Sequence, residues 1–351
     1  MPDPRLKTYA SQAIRHLGAA GDSLAGRQSS KAPTRGNVAP WQGEEDADLH
    51  GTLAAIWVWA RHQLLSADPR FAGQRAAAWS FVETAWKRFI PDAIGSAASD
   101  EAAYDCALAL VAHVAERAVG PVDGRRQGLI DGAARLLSTC LADLEQVGGR
   151  DFRDPGFLAW ALLQYGRAVE DRGLVASGRR FVERAFGMKA PAPWAEEPSS
   201  PADGLFDFAS TTATRILAVI ASEGNTPFVG AWLRERVAPL APPAFVPRRL
   251  DENTWNACAA WALGRAYVVS TDPVFMVAYS TIMDELERRD EDRDGALGRD
   301  RTFRSPDTLT TFYYALAVDA LVTGELPAGG AQRTPEVRAD MTPAPRARSG
   351  R

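Results

Sequence analysis

From Asp48 onward two kinds of apolar segment alternate along the chain. One kind is apolar on nearly every side and opens at an acid: DLHGTLAAIWVWARHQLL, DEAAYDCALALVAHVAE, DPGFLAWALLQYGRAV, DFASTTATRILAVIAS, DENTWNACAAWALGRAY and SPDTLTTFYYALAVDAL. A helix that is apolar all round has to be covered all round, so these segments predict inner helices. The other kind carries charge along one face, as in FAGQRAAAWSFVETAWKRF, GRRQGLIDGAARLLSTCLADLEQV, LVASGRRFVERAF, TPFVGAWLRERVAPL and PVFMVAYSTIMDELERR. Helices with one wet face belong outside.

The spacing turns this alternation into an architecture. Asp48, Glu101, Asp154 and Asp207 open four successive inner segments at intervals of 53 residues, and Glu252 and Asp307 follow after 45 and 55. Intervals this regular mark repeated supersecondary units. Six inner and five outer helices leave one outer place vacant. An N-terminal helix over residues 4–20, with Leu6, Tyr9, Ala10, Ala13, Ile14 and Leu17 on one face, fills it. The fold class expected is therefore all-α, an (α/α)6 toroid over residues 48–324. An open solenoid needs polar terminal caps, and the last apolar segment, FYYALAVDALV, is a poor one.

Outside the repeats the pattern lapses. Residues 21–47 are rich in Gly, Ser, Pro and basic side chains and are expected to form a flexible connector; residues 325–351 have the composition of a disordered tail. No stretch sustains period-two alternation, so almost no sheet is expected beyond small hairpins in the loops at 187–205 and 290–304.

Composition adds boundaries rather than identity. The 351 residues are 46% hydrophobic with a net charge of −4, which supports a large core and gives no electrostatic reason to expect nucleic acid or an anionic membrane as partner. No apolar run approaches the roughly 18 residues of a membrane span. The N-terminus lacks the apolar centre of a secretory signal, and Cys106, Cys140 and Cys258 lie far apart inside helical pattern, as inert buried thiols do. A cytoplasmic protein is expected.

Candidate chemistry gathers where the inner helices start. In a toroid these helices run the same way, so Asp48, Glu101, Asp105, Asp154, Asp207, Asp251, Glu252 and Asp307 would ring one mouth. An acid at a helix start is often only a cap for free amides. Asp105 and Glu252 are less well explained as caps, since Asp105 falls a turn inside its helix and Glu252 lies near Trp255, so these two are the candidates for acid–base catalysis. His50, Tyr104, Trp255, Asn256 and Asp207 are expected to bind substrate. No zinc-type spacing and no phosphate-binding glycine loop occurs, so no cofactor is expected.

The loop from Asp290 to Arg301 carries a weaker signal. Asp290, Asp292, Asp294 and Gly295 match positions one, three, five and six of a calcium-binding loop, but position twelve is Arg301 where a bidentate carboxylate is required, and two arginines inside the loop, Arg293 and Arg299, oppose a cation. A solvated acidic turn is the favoured reading, with Asp290, Asp292 and Asp294 as the calcium candidates.

The acid-led apolar helices, the YDCALALVAHVAE and ENTWNACAAWALGRAY segments and the DRDGALG loop together resemble the six-hairpin glycosidase-like superfamily over roughly residues 48–323. Tyr104-Asp105 with its small and aliphatic followers is similar to a segment of the N-acylglucosamine epimerase branch. That resemblance implies sugar isomerisation with paired histidines in the cup, yet no histidine stands near Asp105 in sequence and none follows His113. Hydrolases and lyases of the same architecture use carboxylates instead. The expectation is an intracellular carbohydrate-active enzyme, glycoside hydrolase- or lyase-like, acting on a small sugar or oligosaccharide. The alternative is a non-catalytic toroid that binds a protein or a glycan.

Overall fold

The computed structural model describes residues 4–31, 33–40, 47–90, 100–147, 154–185, 204–223, 252–300 and 305–322. These residues are helical, with no strand among them. The helices are α1 (Pro4–Gly26), α2 (Leu49–Ser66), α3 (Ala72–Phe89), α4 (Asp100–Val119), α5 (Gly124–Val147), α6 (Pro155–Ala168), α7 (Arg172–Ala185), α8 (Gly204–Glu223), α9 (Asn253–Ser270), α10 (Pro273–Arg289) and α11 (Thr308–Asp319). The segment TPFVGAWLRERVAPL, the loop at 187–203, Asp251 and the tail from 323 lie outside the described residues.

Two classes of helix are visible in burial as they are in sequence. In α2 the residues from Leu49 to His62 are buried almost without interruption, and α6, α9 and α11 are similar. In α3, α7 and α10 only one face is covered. The contacts among the apolar helices run in cyclic order: α2 packs on α4, α4 on α6, α6 on α8, α8 on α9, α9 on α11, and α11 back on α2. Among the amphipathic helices, α3 lies on α2, α5 on α4, α7 on α6 and α10 on α9. Helix α1 packs on both α2 and α11, bridging the first and last apolar helices.

Where a Cβ would intervene, glycine permits the close approach. A Cβ on Gly156 would lie 2.6 Å from the backbone nitrogen of Arg215 and 2.6 Å from the carbonyl carbon of Thr214, so α6 and α8 touch backbone to backbone there. The far ends of the apolar helices share another device. Ala67, Glu170 and Thr271, which follow α2, α6 and α9, adopt left-handed φ values of 60°, 58° and 56°, turning the chain sharply towards the next helix.

The N-terminal region differs from the expectation of a helix ending at residue 20 and a flexible connector. Helix α1 continues through Gly26, and residues of the stretches 27–31 and 33–40 are hydrogen-bonded to the body. The Val38 amide donates to Thr52 Oγ1 at 2.9 Å, and the Asp48 amide donates to Asn37 Oδ1 at 2.8 Å. At the other end, Thr308 donates to Pro40 O through its amide at 2.8 Å and to Ala39 O through its hydroxyl at 2.7 Å. The arm therefore ties the start of α2 to the start of α11. Its composition suggested mobility because its attachments are backbone groups and small polar side chains, which leave no apolar periodicity to read. Three isolated antiparallel bridges occur among the described residues: Gln28 with Val38, Glu252 with Asp300, and Gly298 with Pro306. The last two lie in or beside the loop where a small hairpin was expected.

Candidate functional site

Of the acids that recur along the chain, Asp48, Asp154, Glu252 and Asp307 sit at N-caps, while Glu101 and Asp207 fall inside the first turns of α4 and α8. Capping explains some of them. Asp154 accepts from the Phe157 amide at 3.1 Å and Asp307 from the Thr310 amide at 2.7 Å. Glu252 makes no such bond. Its carboxylate is gripped instead by Trp255 Nε1, which donates to Oε2 at 2.5 Å, and by Arg299 Nε, which donates to Oε1 at 3.1 Å.

Asp105 is the most unusual member. It lies in the second turn of α4, and its Oδ1 is 3.0 Å from His50 Nδ1 on α2, with the Asp105 side chain 3% exposed and that of His50 24%. Burial, reinforced by the Asp48 and Glu101 carboxylates, pushes Asp105 up to about 8. Burial pulls His50 down from its ordinary value, against the pull of Glu101. The pair is therefore held as a protonated acid beside a neutral imidazole. Asp48 is raised to about 6, chiefly by burial, and Asp154 to about 7 by burial against the bonds from Thr214 and Phe157.

An aromatic cluster lies beside this acid. His50 stacks on Tyr104 with ring centres 5.3 Å apart, Tyr104 lies 5.0 Å from Phe157, Phe157 5.6 Å from Trp160, and Trp160 4.7 Å from Trp261 edge to face. The hydroxyls of Tyr104 on α4 and Tyr313 on α11 are hydrogen-bonded to each other. Helices α4, α6, α9 and α11 thus meet through aromatic side chains. Phe157, Trp261 and Tyr313 are buried there, whereas His50, Tyr104, Trp160 and Trp255 are half-buried.

The structure brings together His50, Tyr104 and Asp105, and separately Glu252, Trp255 and Arg299. Asn256 is buried, and its side-chain amide donates to the Glu252 carbonyl at 3.2 Å. The Asp207 side chain lies outside the described residues. Trp160, Trp261 and Tyr313 were not singled out from the sequence, because a tryptophan or tyrosine in a buried helix looks the same whether it packs between layers or faces the ring centre. Asn253 was missed as well. Its side chain donates to Gly298 O at 2.8 Å and accepts from Arg289 Nη1 at 2.6 Å, fastening the loop that presents Arg299.

The acidic loop after α10 brings one carboxylate oxygen each from Asp290, Asp292 and Asp294 within 4.8 Å of one another. The three cysteines are buried and form no disulfide. Among the described residues no helix is long and apolar enough to cross a membrane. No protein-family model matches the chain, and no curated protein is significantly similar to it.

Proposed function

We propose that the chain is an (α/α)6 toroid acting on a small carbohydrate at the end where its inner helices begin, with Asp105 as the proton donor. The cyclic order of contacts among α2, α4, α6, α8, α9 and α11 supports the toroid. The observation that carries the chemistry is the His50–Asp105 pair, in which a buried acid held at about 8 touches a histidine that reaches the surface. A carboxyl that keeps its proton near neutral pH can donate it to a glycosidic or carbonyl oxygen. Neutral His50 can receive or return that proton, and the half-buried faces of Tyr104, Trp160 and Trp255 offer platforms for the apolar face of a sugar ring. Glu252, braced by Trp255 and Arg299, takes the base role. A glycoside hydrolase- or lyase-like reaction fits two carboxylates better than an epimerase reaction with paired histidines. A cytoplasmic setting, with imported sugars or fragments as substrate, belongs to the same reading.

A second reading, a non-catalytic toroid that binds a glycan or protein, is favoured by the burial of the aromatic cluster. A plugged centre is what burial of Phe157, Trp261 and Tyr313 would mean in a toroid, and Asp154 and Asp307 are engaged by helix amides.

A thermal-shift screen against monosaccharides, sugar phosphates and oligosaccharides, followed by turnover assays on any hit, separates the two. Catalysis predicts turnover by the parent chain, with Asp105→Ala and Glu252→Ala still binding but inactive. Binding without turnover favours the second reading, and no shift with any sugar sinks the first.

A further inference from the structure

The turn that follows α10 gathers three carboxylates in a small space. Asp290, Asp292 and Asp294 converge within 4.8 Å, and Asp290 is the C-cap of α10, where the helix dipole already disfavours an anion. Asp290 is 6% exposed, and its Oδ1 has no hydrogen-bond partner. Arg288 and Arg289 both pair with Glu285, and Arg289 also holds Asn253, while Arg293, inside the turn, is exposed and Arg27 lies within electrostatic reach of Asp294. Among the described residues no arginine or lysine forms an ion pair with any of the three acids. An exposed acidic turn would spread its charges into water. This one buries a carboxylate oxygen without a donor, a cost that an ion at the centre of the three acids removes.

We propose that the turn from Asp290 to Gly295 binds a divalent cation of the calcium type, ligated by the carboxylates of Asp290, Asp292 and Asp294. The turn is shaped for an oxygen-ligand loop. Gly295 has a φ of 74°, and a Cβ there would lie 2.8 Å from the Ala20 nitrogen and 2.9 Å from the His16 oxygen of α1. A glycine at this place makes the sharp bend such loops need. Calcium accepts irregular oxygen shells, whereas magnesium demands a near-octahedral one and gives up water reluctantly. Since position twelve is Arg301 and supplies no carboxylate, affinity falls at the weak end for such loops, with Kd about 10⁻⁴–10⁻³ M.

The position of the turn gives the ion a structural consequence. Beyond Gly295 the chain runs directly to Leu297, whose carbonyl accepts from the Asp307 amide at 2.9 Å, and to Arg299, whose carbonyl accepts from the Asn253 amide at 2.8 Å. The Arg299 side chain then reaches Glu252. A cation at Asp290 would hold one side of the proposed mouth to α1 and α10.

Thermal unfolding and calorimetric titration of the full chain, stripped with EDTA and then given millimolar calcium chloride or magnesium chloride, test the site without any sugar. Calcium is expected to raise Tm by a few degrees and to bind at one site, with magnesium giving a smaller shift. Asp292→Asn, at an exposed position, is expected to unfold like the parent in EDTA and to lose the calcium shift. Asp290→Asn should lose the shift too while unfolding no earlier in EDTA. An absent calcium shift in the parent chain, or the same shift in Asp292→Asn and Asp290→Asn, overturns the proposal.

Discussion

His50 Nδ1 lies 3.0 Å from Asp105 Oδ1, joining the first turn of α2 to the second turn of α4 across the packed face between them. Neither residue has a histidine or acid partner of this kind in its own stretch of sequence.

The pair predicts a pH dependence of stability. Asp105 is raised from 3.8 to about 8, so the native state holds a proton that the unfolded chain releases. Its contribution is fully present below about 3.8 and is lost as pH rises through about 8. His50, lowered from 6.5, has the opposite sign: its contribution is present above about 6.5 and is lost as pH falls through its folded value. Urea unfolding of the parent chain and of Asp105→Asn across this range should show a shallower fall in stability with rising pH in the variant. Parallel curves would mean that Asp105 ionises normally.

Asp154 tests whether a buried cap depends on its second donor. Thr214 Oγ1 donates to Asp154 Oδ1 at 2.6 Å, across the α6–α8 contact. Thr214→Val keeps the shape and removes that donor. The expected loss is about 1–3 kcal/mol in denaturant unfolding near neutral pH, where Asp154, raised to about 7, is partly ionised. The loss should shrink in acid, where the carboxyl is protonated.

Gly156 and Gly128 predict opposite signs for the same substitution. A methyl at Gly156 meets the backbone of α8 at 2.6 Å, whereas one at Gly128, on the exposed side of α5, meets nothing within 4 Å. Gly156→Ala is expected to destabilise by about 1–3 kcal/mol through overpacking. Gly128→Ala should stabilise by about 1 kcal/mol through helix propensity. Equal effects on Tm would mean that α6 and α8 are not in backbone contact.

Ala67 offers a gain at the far end of α2. Its φ of 60° is left-handed, its amide caps Gln63 O at 2.8 Å, and its side chain is exposed. Ala67→Gly removes a strain of about 1–2 kcal/mol and returns part of it as unfolded-state entropy. A net rise of roughly 0.5–1 kcal/mol is expected by chemical denaturation; a fall would locate the strain elsewhere.

Much of the helical plan is legible in the order of residues. The distinction between DLHGTLAAIWVWARHQLL and FAGQRAAAWSFVETAWKRF is a distinction of burial, and burial is what a periodic pattern encodes. The acids at helix starts are equally readable, because capping acts within one turn of chain. The role of each acid is not local. Asp154 and Glu252 occupy equivalent places in the repeat, yet Asp154 caps its helix and Glu252 turns to Trp255 and Arg299. The difference comes from what a neighbouring loop presents, and that loop is 47 residues further along the chain.

The arm at 27–40 and the calcium-like turn show the same division. Local chemistry wrote the turn at Asp290 to Gly295 plainly, down to its glycine, but only the tertiary structure sets Gly295 against the backbone of His16 and Ala20 and buries Asp290. By itself the sequence determined that the chain is helical, which faces are wet and where each inner helix begins, since these depend on residues within a few turns of one another. Only the tertiary structure decided that His50 meets Asp105 and that Tyr104 meets Tyr313, because contacts between distant turns depend on how the helices are set side by side, which no local spacing records.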